Sequence, residues 1–310
     1  MKKIKVAVIG IGNLGQHHAR IYYSMKELVN LVAIVDVDKT KIEKYKKIYP
    51  NVEFFTDYRN VIDKIDAVSL VVPTKLHYSI AKEIILAKKH ILIEKPITTT
   101  VEEAEELVFL AEQNNVILQV GHVERFNPVI QTIKDYVYQP KFIESMRLSN
   151  FDPRVADIGV VLDLMIHDID IVLSFVKSNL KSIEAYGAKV FTNNEDIVKA
   201  RLRFENGSIC DLTASRISLN KYRKMHIFQP DSYISIDFIR QNAKIYRKIF
   251  SSNEQKIELI RPKIKKEEPL KLELQNFINS IIENKKPIVT GYHAKQALEV
   301  AIEIVNQLKI

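Results

Sequence analysis

The chain has 310 residues, of which 46% are hydrophobic and 27% charged, and it carries a formal net charge of +8. That length exceeds what one hydrophobic core usually serves, so two domains are expected, and the composition excludes a disordered or fibrous chain. The single cysteine, Cys210, excludes an internal disulfide framework, and no apolar run reaches the roughly 18 residues of a membrane-spanning helix.

A positive balance suits nucleic acid, an anionic membrane surface or a phosphorylated substrate. Here the lysines are scattered among glutamates, as from Lys39 to Lys47 and from Lys263 to Glu268, which reads as solvated surface. No clustered footprint or recognition motif is present, so neither a nucleic-acid partner nor a membrane partner is expected. Met1-Lys2-Lys3 and the apolar run behind it superficially resemble a signal peptide. Gly10, Gly12 and Gly15, then Gln16, His17, His18 and Arg20, break that run, and no small-residue cleavage site follows. A cytoplasmic location is expected.

In chain order, apolar runs at Val6–Ile9, Leu31–Val35, Ala67–Val72, Ile91–Ile93 and Val116–Val120 alternate with helical stretches at Asn13–Met25, Thr40–Ile48, His77–Ala87 and Val101–Asn114. Strands apolar on both faces and separated by helices predict a parallel sheet of strand–helix–strand units. Thr100 and Glu103 predict a capping box for the last of these helices. Beyond Gly121 the pattern becomes strand-rich: Phe142–Ser149, Ser182–Ala188, Val198–Phe204, Ser208–Ala214, Lys224–Phe228 and Tyr233–Phe238. Glu205-Asn206-Gly207 predicts a hairpin. A long apolar helix, Val160–Val176, interrupts these strands, and Leu270–Ile282 and His293–Leu308 read as helices that close the chain. The expected organisation is an α/β protein: a parallel-sheet domain over residues 1–121, then an α+β domain over 122–310 built on a mostly antiparallel sheet.

Gly10-Ile11-Gly12-Asn13-Leu14-Gly15 follows the first strand and opens the first helix, the context of a Rossmann-type dinucleotide loop. The glycines give a tight turn and close backbone approach to a pyrophosphate, and the helix N-terminus supplies N–H donors. Asp36 ends the second strand, where a carboxylate accepts the ribose hydroxyls of NAD; Val37 brings no charge for the 2′-phosphate of NADP, although Lys39 and Lys41 are near in sequence. NAD is therefore the expected cofactor, ahead of NADP. Pro73, Thr74 and His77 follow the third of these strands and are expected along the cofactor edge, unless they only cap a helix. Glu94-Lys95-Pro96 follows the fourth. A lysine at the carboxyl end of a parallel strand lies on the ligand side, where burial beside a cationic ring lowers its pKa toward the range useful for proton transfer; an ordinary surface ion pair is the alternative.

The apolar helix carries Asp163, His167 and Asp170 at i, i+4 and i+7, and so on one face. Ionisable groups on a buried helix need a polar partner or a ligand. An Asp one turn before a His can fix its tautomer and raise its basicity; a satisfied core histidine is the plain alternative. A metal site is not expected, since no third and fourth ligand is evident. Arg125 and Asn127, in Gly121-His122-Val123-Glu124-Arg125-Phe126-Asn127-Pro128, stand at the domain junction, where an Arg grips an anionic group or bridges the domains.

The glycine loop, Glu94-Lys95-Pro96 and the Asp163…His167 helix, in this order and at these spacings, resemble the Gfo/Idh/MocA oxidoreductase family over essentially the whole chain. The resemblance implies Lys95 and His167 as catalytic pair with Asp163 supporting, and Glu94 and Lys95 at the cofactor. It also implies substrate contacts from Arg125, Asn127, Asp163 and His167, and a dimer or tetramer formed through the open sheet of the second domain. Within the family, the stretches Gly121–Pro128, Leu162–Asp170 and Leu212–Arg216 are similar to a bacterial UDP-N-acetylglucosamine 3-dehydrogenase-like subgroup. Oxidation of a sugar or nucleotide-sugar hydroxyl is the expectation. An inositol, glucose or imine dehydrogenase and a non-catalytic NAD-binding regulator are the alternatives. The glycine-rich stretch that many members carry ahead of the catalytic helix is here Asp157-Ile158-Gly159-Val160-Val161.

Overall fold

A computed structural model describes residues 3–153, 158–251 and 254–310; Asp157 of the unusual stretch lies outside them. The chain divides into two compact units: one runs to His122 and takes in Leu270–Lys295, and the other comprises Val123–Pro269 and Gln296–Ile310. The helical end of the chain is thus shared between the units.

In the first unit a six-stranded parallel sheet has the order β3-β2-β1-β4-β5-β6, from β1 (Ile4–Ile9), β2 (Val29–Val35), β3 (Glu53–Phe55), β4 (Ala67–Leu70), β5 (His90–Glu94) and β6 (Leu118–Gly121). The order reverses between β1 and β4, the switch point outside which such sheets hold ligands. β4 is buried along its whole length and β1 over its last four residues, as strands covered on both faces must be. Helices α1 (Gly15–Ser24), α2 (Lys39–Lys46), α3 (His77–Leu86) and α4 (Val101–Gln113) make the crossovers. The Thr100 hydroxyl accepts from the Glu103 N–H as expected, while the Glu103 carboxylate reaches back to the N–H and hydroxyl of Thr99, one residue earlier than in the usual box. β3 went unread because it is a three-residue edge strand with no buried residue.

The second unit holds an eight-stranded sheet, ordered β14-β13-β12-β11-β7-β10-β9-β8. Its strands are β7 (Phe142–Leu148), β8 (Leu180–Ala188), β9 (Ile197–Phe204), β10 (Ile209–Ser215), β11 (Tyr222–Phe228), β12 (Ser232–Asp237), β13 (Asn242–Ser251) and β14 (Glu254–Ile260). Pairing is antiparallel except between β7 and β10. Strict alternation of burial along β7 marks one core face and one solvent face. β13 and β14 escaped the sequence reading. β14 is exposed over six of its seven residues and studded with Lys and Glu, the charged pattern that protects a sheet edge and masks the strand period.

Helices α5 (Pro128–Ile133) and α6 (Ile166–Phe175) pack in this unit. α7 (Pro269–Glu283) contributes Leu274, Phe277 and Ile278 to the buried set, and Ala297, Val300, Ala301 and Ile304 of α8 (Gly291–Gln307) join the core of the second unit. Sequence reading took Val160–Val176 as one regular helix. Its first part, Val161–Met165, is instead a π-helical turn, and α6 begins only at Ile166. Such wide turns recur at functional sites.

Candidate active site

In the first unit the glycine loop is built by exclusion. Gly10 has φ +93°, and a Cβ there would meet the Val71 carbonyl oxygen at 2.2 Å, at the β1–β4 switch point; a Cβ on Gly15 would meet the Gly10 carbonyl oxygen at 1.9 Å. At Gly12 a Cβ would meet nothing within 4 Å, so the open side of the loop lies there. α1 follows with Leu14 at its N-cap and no side-chain cap, which keeps the first-turn N–H groups available. Asn13 is exposed beside them. The Asp36 carboxylate accepts from the Ile11 N–H and the Asp38 N–H, each at 2.9 Å, so the loop and the end of β2 are tied together. This arrangement fits NAD: an open glycine edge and an uncapped helix N-terminus for the pyrophosphate, and an anchored acid for the ribose. Lys41 is 3.7 Å from Asp36, while Val37 is exposed.

Glu94 ends β5 opposite Gly121 of β6. A Cβ on Gly121 would lie 2.8 Å from the Glu94 Cδ and both carboxylate oxygens, so glycine makes the room in which Glu94 sits. One Glu94 oxygen accepts from the Lys95 N–H at 3.2 Å, and the other is 3.1 Å from His18 Nε2. His18 Nδ1 is 3.3 Å from the Ser69 hydroxyl, which is 2.9 Å from the Tyr22 hydroxyl. One direction of donation satisfies this chain: Tyr22 to Ser69, Ser69 to His18, and His18 to Glu94. Burial pushes the Tyr22 phenol up, so it stays a donor. Lys95 is half-buried and precedes the cis Pro96.

The sequence reading missed His18, Tyr22 and Ser69. The available signal was the i, i+4 spacing of His18 and Tyr22 around Ala19 on the buried face of α1. It also missed Glu273 of α7, which is fully buried, and neither carboxyl oxygen has a hydrogen-bond partner among the described residues. Burial, and then the charge of Glu94, push Glu273 well above the usual carboxyl range.

Pro73 is exposed and caps the short 3₁₀ turn Thr74–Leu76, and Thr74 is half-buried in that turn. His77 is buried with Nδ1 2.9 Å from the Pro96 carbonyl and Nε2 2.9 Å from the Val72 carbonyl. Burial lowers its pKa, and a neutral ring donates to one carbonyl at a time. The ring therefore lies between two loops at the carboxyl edge of the sheet and ties one of them at a time.

In the second unit the π turn is capped from outside its own helix. The Glu195 carboxylate accepts from the Val161 N–H, and the Glu195 carbonyl from the Val160 N–H. Asp163 lies within the turn and His167 two residues beyond it, both partly accessible. Asp168, beside His167, forms a two-point pair with Arg147 at 3.1 and 2.7 Å. Arg147 also donates to Glu124 at 2.7 Å, and Arg223 approaches the same Glu124 oxygen at 3.3 Å. Arg147 is buried; burial works against its charge, but Asp168 and Glu124 more than offset this and raise its pKa.

Asp170, the third residue of the expected face, is paired with Arg125 at 3.2 Å. Arg125 is thus committed to α6, with its side chain 13% exposed. Asn127 differs from its expected role at a substrate. Its side chain is buried, accepts from the Val129 N–H to cap α5, and donates to Glu124 and to the Phe238 carbonyl. Every polar atom of that side chain is spent on the scaffold.

Residues 4–122 match the oxidoreductase family with the NAD-binding Rossmann fold, and residues 136–234 match the GFO/IDH/MocA C-terminal domain. The chain belongs to the Gfo/Idh/MocA oxidoreductase family. It is 30% identical to the UDP-N-acetylglucosamine 3-dehydrogenase of Acidithiobacillus ferrooxidans, over 98% of this chain and 97% of the relative. A solved structure of that enzyme superposes with a TM-score of 0.93, covering 100% of this chain and 99% of the other at 29% identity. The scyllo-inositol 2-dehydrogenase (NAD(+)) of Bacillus subtilis is 26% identical over 99% of this chain and 94% of its own. A levoglucosan dehydrogenase solved with NADH and levoglucosan shares the fold at a TM-score of 0.88 and 19% identity, covering 99% of this chain and 97% of the other. As a member of the family the chain is an NAD-dependent oxidoreductase.

Proposed function

We propose that this protein oxidises the C3 hydroxyl of UDP-N-acetylglucosamine with NAD as acceptor. The observation that carries the reading is the match to a UDP-N-acetylglucosamine 3-dehydrogenase across nearly the full length of both chains. Bound NAD supplies the hydride acceptor. The loop Gly10, Gly12, Asn13, Leu14 and Gly15 holds its pyrophosphate, and Asp36 holds the adenosine ribose. The turn at Pro73 and Thr74, with His77 fixing the loops on either side, borders the dinucleotide at the carboxyl edge of the sheet. Glu94 sets the backbone of Lys95 through the bond to its N–H. Lys95 and His167 take and return the hydroxyl proton, and Asp163 orients the His167 ring. Arg125 and Asn127 act at one remove, by fixing α5 and α6.

The full-length match to an inositol dehydrogenase favours one second reading, a cyclic polyol as substrate. A panel of UDP-N-acetylglucosamine, myo-inositol and glucose, each followed by NADH absorbance, separates the two. Turnover of the nucleotide sugar with kcat/KM at least about tenfold above the polyols is the expected result, equivalent to roughly 1.4 kcal/mol of discrimination; the reverse ranking refutes it.

We also infer a homodimer or homotetramer through the solvent face of the eight-stranded sheet. Phe142, Phe228, Tyr233, Tyr246 and Leu259 stand directly opposite one another across five strands there. An apolar row of that length on an open sheet needs covering. Light scattering of the purified protein reads the state, and a monomer contradicts this inference. Among the described residues no helix is long and apolar enough to cross a membrane. We assign the protein to the cytoplasm, where its one cysteine, the buried Cys210, stays a thiol.

A further inference from the structure

Asp163 stands in the π turn and His167 two residues past its end, so the shape of the turn sets the angle between them. The Ile166 N–H returns to the Val161 carbonyl, five residues back, where a regular helix would return four. A regular helix turns by about 100° per residue. Reversion of the wide turn to regular helix takes up one residue, and would swing Asp163 by about that angle relative to His167. The far side of the junction is pinned. Arg147 grips both oxygens of Asp168 in the first turn of α6, at 3.1 and 2.7 Å, and Arg125 pairs with Asp170 at 3.2 Å. A slackened π turn would therefore move Asp163 and leave His167 in place.

The near side of the turn is held from the β8–β9 loop. The Glu195 carbonyl accepts from the Val160 N–H at 3.0 Å and the Glu195 carboxylate from the Val161 N–H at 3.2 Å, two donors that a helix start leaves without an internal partner. Glu195 is buried, and its loop is stiffened by Asp196, whose carboxylate accepts from the N–H groups of Val190, Phe191 and Thr192 at 2.8, 2.7 and 3.0 Å. Gly159 completes the seat. A Cβ there would stand 1.9 Å from one Glu195 oxygen and 2.3 Å from the other, so the carboxylate occupies the space that any other residue would fill. Gly159 is not among the residues of positive φ, so glycine is needed here for room and not for conformation. A cap for stability alone is met by a Ser, Thr or Asp at the N-cap itself. Here Val160 stands at the N-cap with no side-chain cap, and the acceptor comes from 34 residues beyond Val161.

We propose that Glu195 is a positioning residue for His167 and Asp163: its carboxylate, seated in the space that Gly159 leaves, keeps the π turn wide and so sets Asp163 against His167. The proposal rests on the assignment of His167 and Asp163 to proton transfer, and it holds for whichever hydroxyl substrate the enzyme oxidises.

The test measures initial rates of the full chain with NAD and the substrate that the parent turns over fastest among UDP-N-acetylglucosamine, myo-inositol and glucose. The variants are Glu195→Ala, Glu195→Gln, Gly159→Ala, the pair Gly159→Ala with Glu195→Ala, and His167→Ala. Urea unfolding of each gives the folded fraction, so that kcat is compared per folded molecule. Glu195→Ala should lower kcat by roughly 10²-fold, the cost of a misplacement near 1 Å, with KM for NAD and for substrate within about threefold of the parent. Glu195→Gln keeps an oxygen for the Val161 N–H and should restore kcat to within about threefold of the parent. Gly159→Ala should fall as far as Glu195→Ala, yet cost nothing further once residue 195 is alanine, because the glycine serves only to seat that carboxylate. Should Glu195→Ala fail to fold, Gly159→Ala adds one methyl group and reads the same displacement. A Glu195→Ala or Gly159→Ala protein with kcat within about threefold of the parent overturns the proposal. So does a loss explained by the folded fraction or by KM alone, or a Glu195→Gln protein no faster than Glu195→Ala. The control separates the two readings. A His167→Ala protein that turns over like the parent overturns the proton-transfer assignment itself, whereas an impaired His167→Ala beside a parent-like Glu195→Ala overturns only the positioning.

Discussion

Replacing Glu273 by Gln keeps the shape of a fully buried side chain and removes its proton equilibrium. In the folded protein neither oxygen has a partner among the described residues, and burial together with Glu94 holds the carboxyl well above its usual range. The folded state therefore keeps a proton that the unfolded chain, with an ordinary Glu, releases near 4.5. The stability this group contributes is fully present below that value and is lost as pH rises toward the folded pKa. One proton of difference costs about 1.4 kcal/mol per pH unit. Glu273→Gln carries no such proton and does not lose that stability. Urea unfolding of both proteins at about pH 5.5, 6.5 and 7.5 measures it, with the variant gaining on the parent as pH rises above the ordinary carboxyl range. Parallel stability profiles over that range would mean that Glu273 ionises in the folded protein, and would refute the reasoning.

Gly121→Ala forces the Glu94 carboxylate off its seat, because all three of its outer atoms stand 2.8 Å from the new Cβ. The bonds from His18 and the Lys95 N–H are then lost, and we expect a stability loss of about 2 kcal/mol by urea unfolding together with a fall in kcat; an unchanged kcat would show that Lys95 does not depend on Glu94. Asp36→Ala removes the acceptor that the loop holds at 2.9 Å, so NAD binding followed by fluorescence should weaken and its preference over NADP should narrow. Equal NAD affinity in the variant and the parent would remove Asp36 from the adenosine site. Lys95→Ala should lower kcat by roughly 10²–10⁴-fold at nearly constant NAD affinity, and His167→Ala should do the same. The double variant should lose less than the product of the two if both serve one proton transfer, whereas fully multiplicative losses would mean independent roles.

The first unit was legible because its signals are local. Glycines at fixed offsets after β1, an acid closing β2 and a capping pair before α4 each depend on neighbours in sequence. The sites these elements support were less legible. His18 and Tyr22, Ser69, and Glu94 come from three elements, α1, β4 and β5, that meet only in the folded unit, and Glu273 reaches them from a helix near the other end of the chain. In the second unit the 3.6-residue period correctly announced a helix around His167 but could not show the π turn, which a cap from Glu195, 34 residues away from Val161, helps to hold. Asn127 and Arg125 looked like ligand groups for their residue type alone; tertiary partners in α5, α6 and the sheet take them up instead.

The most direct test of the central claim follows one hydrogen. The enzyme is incubated with NAD and UDP-N-acetylglucosamine deuterated at C3, and the reduced cofactor is recovered and weighed by mass spectrometry. Oxidation at C3 predicts reduced cofactor carrying the deuterium, formed more slowly than from the unlabelled sugar if hydride transfer limits the rate. Reduced cofactor without the label, or none formed from this sugar while a cyclic polyol is turned over, would contradict it.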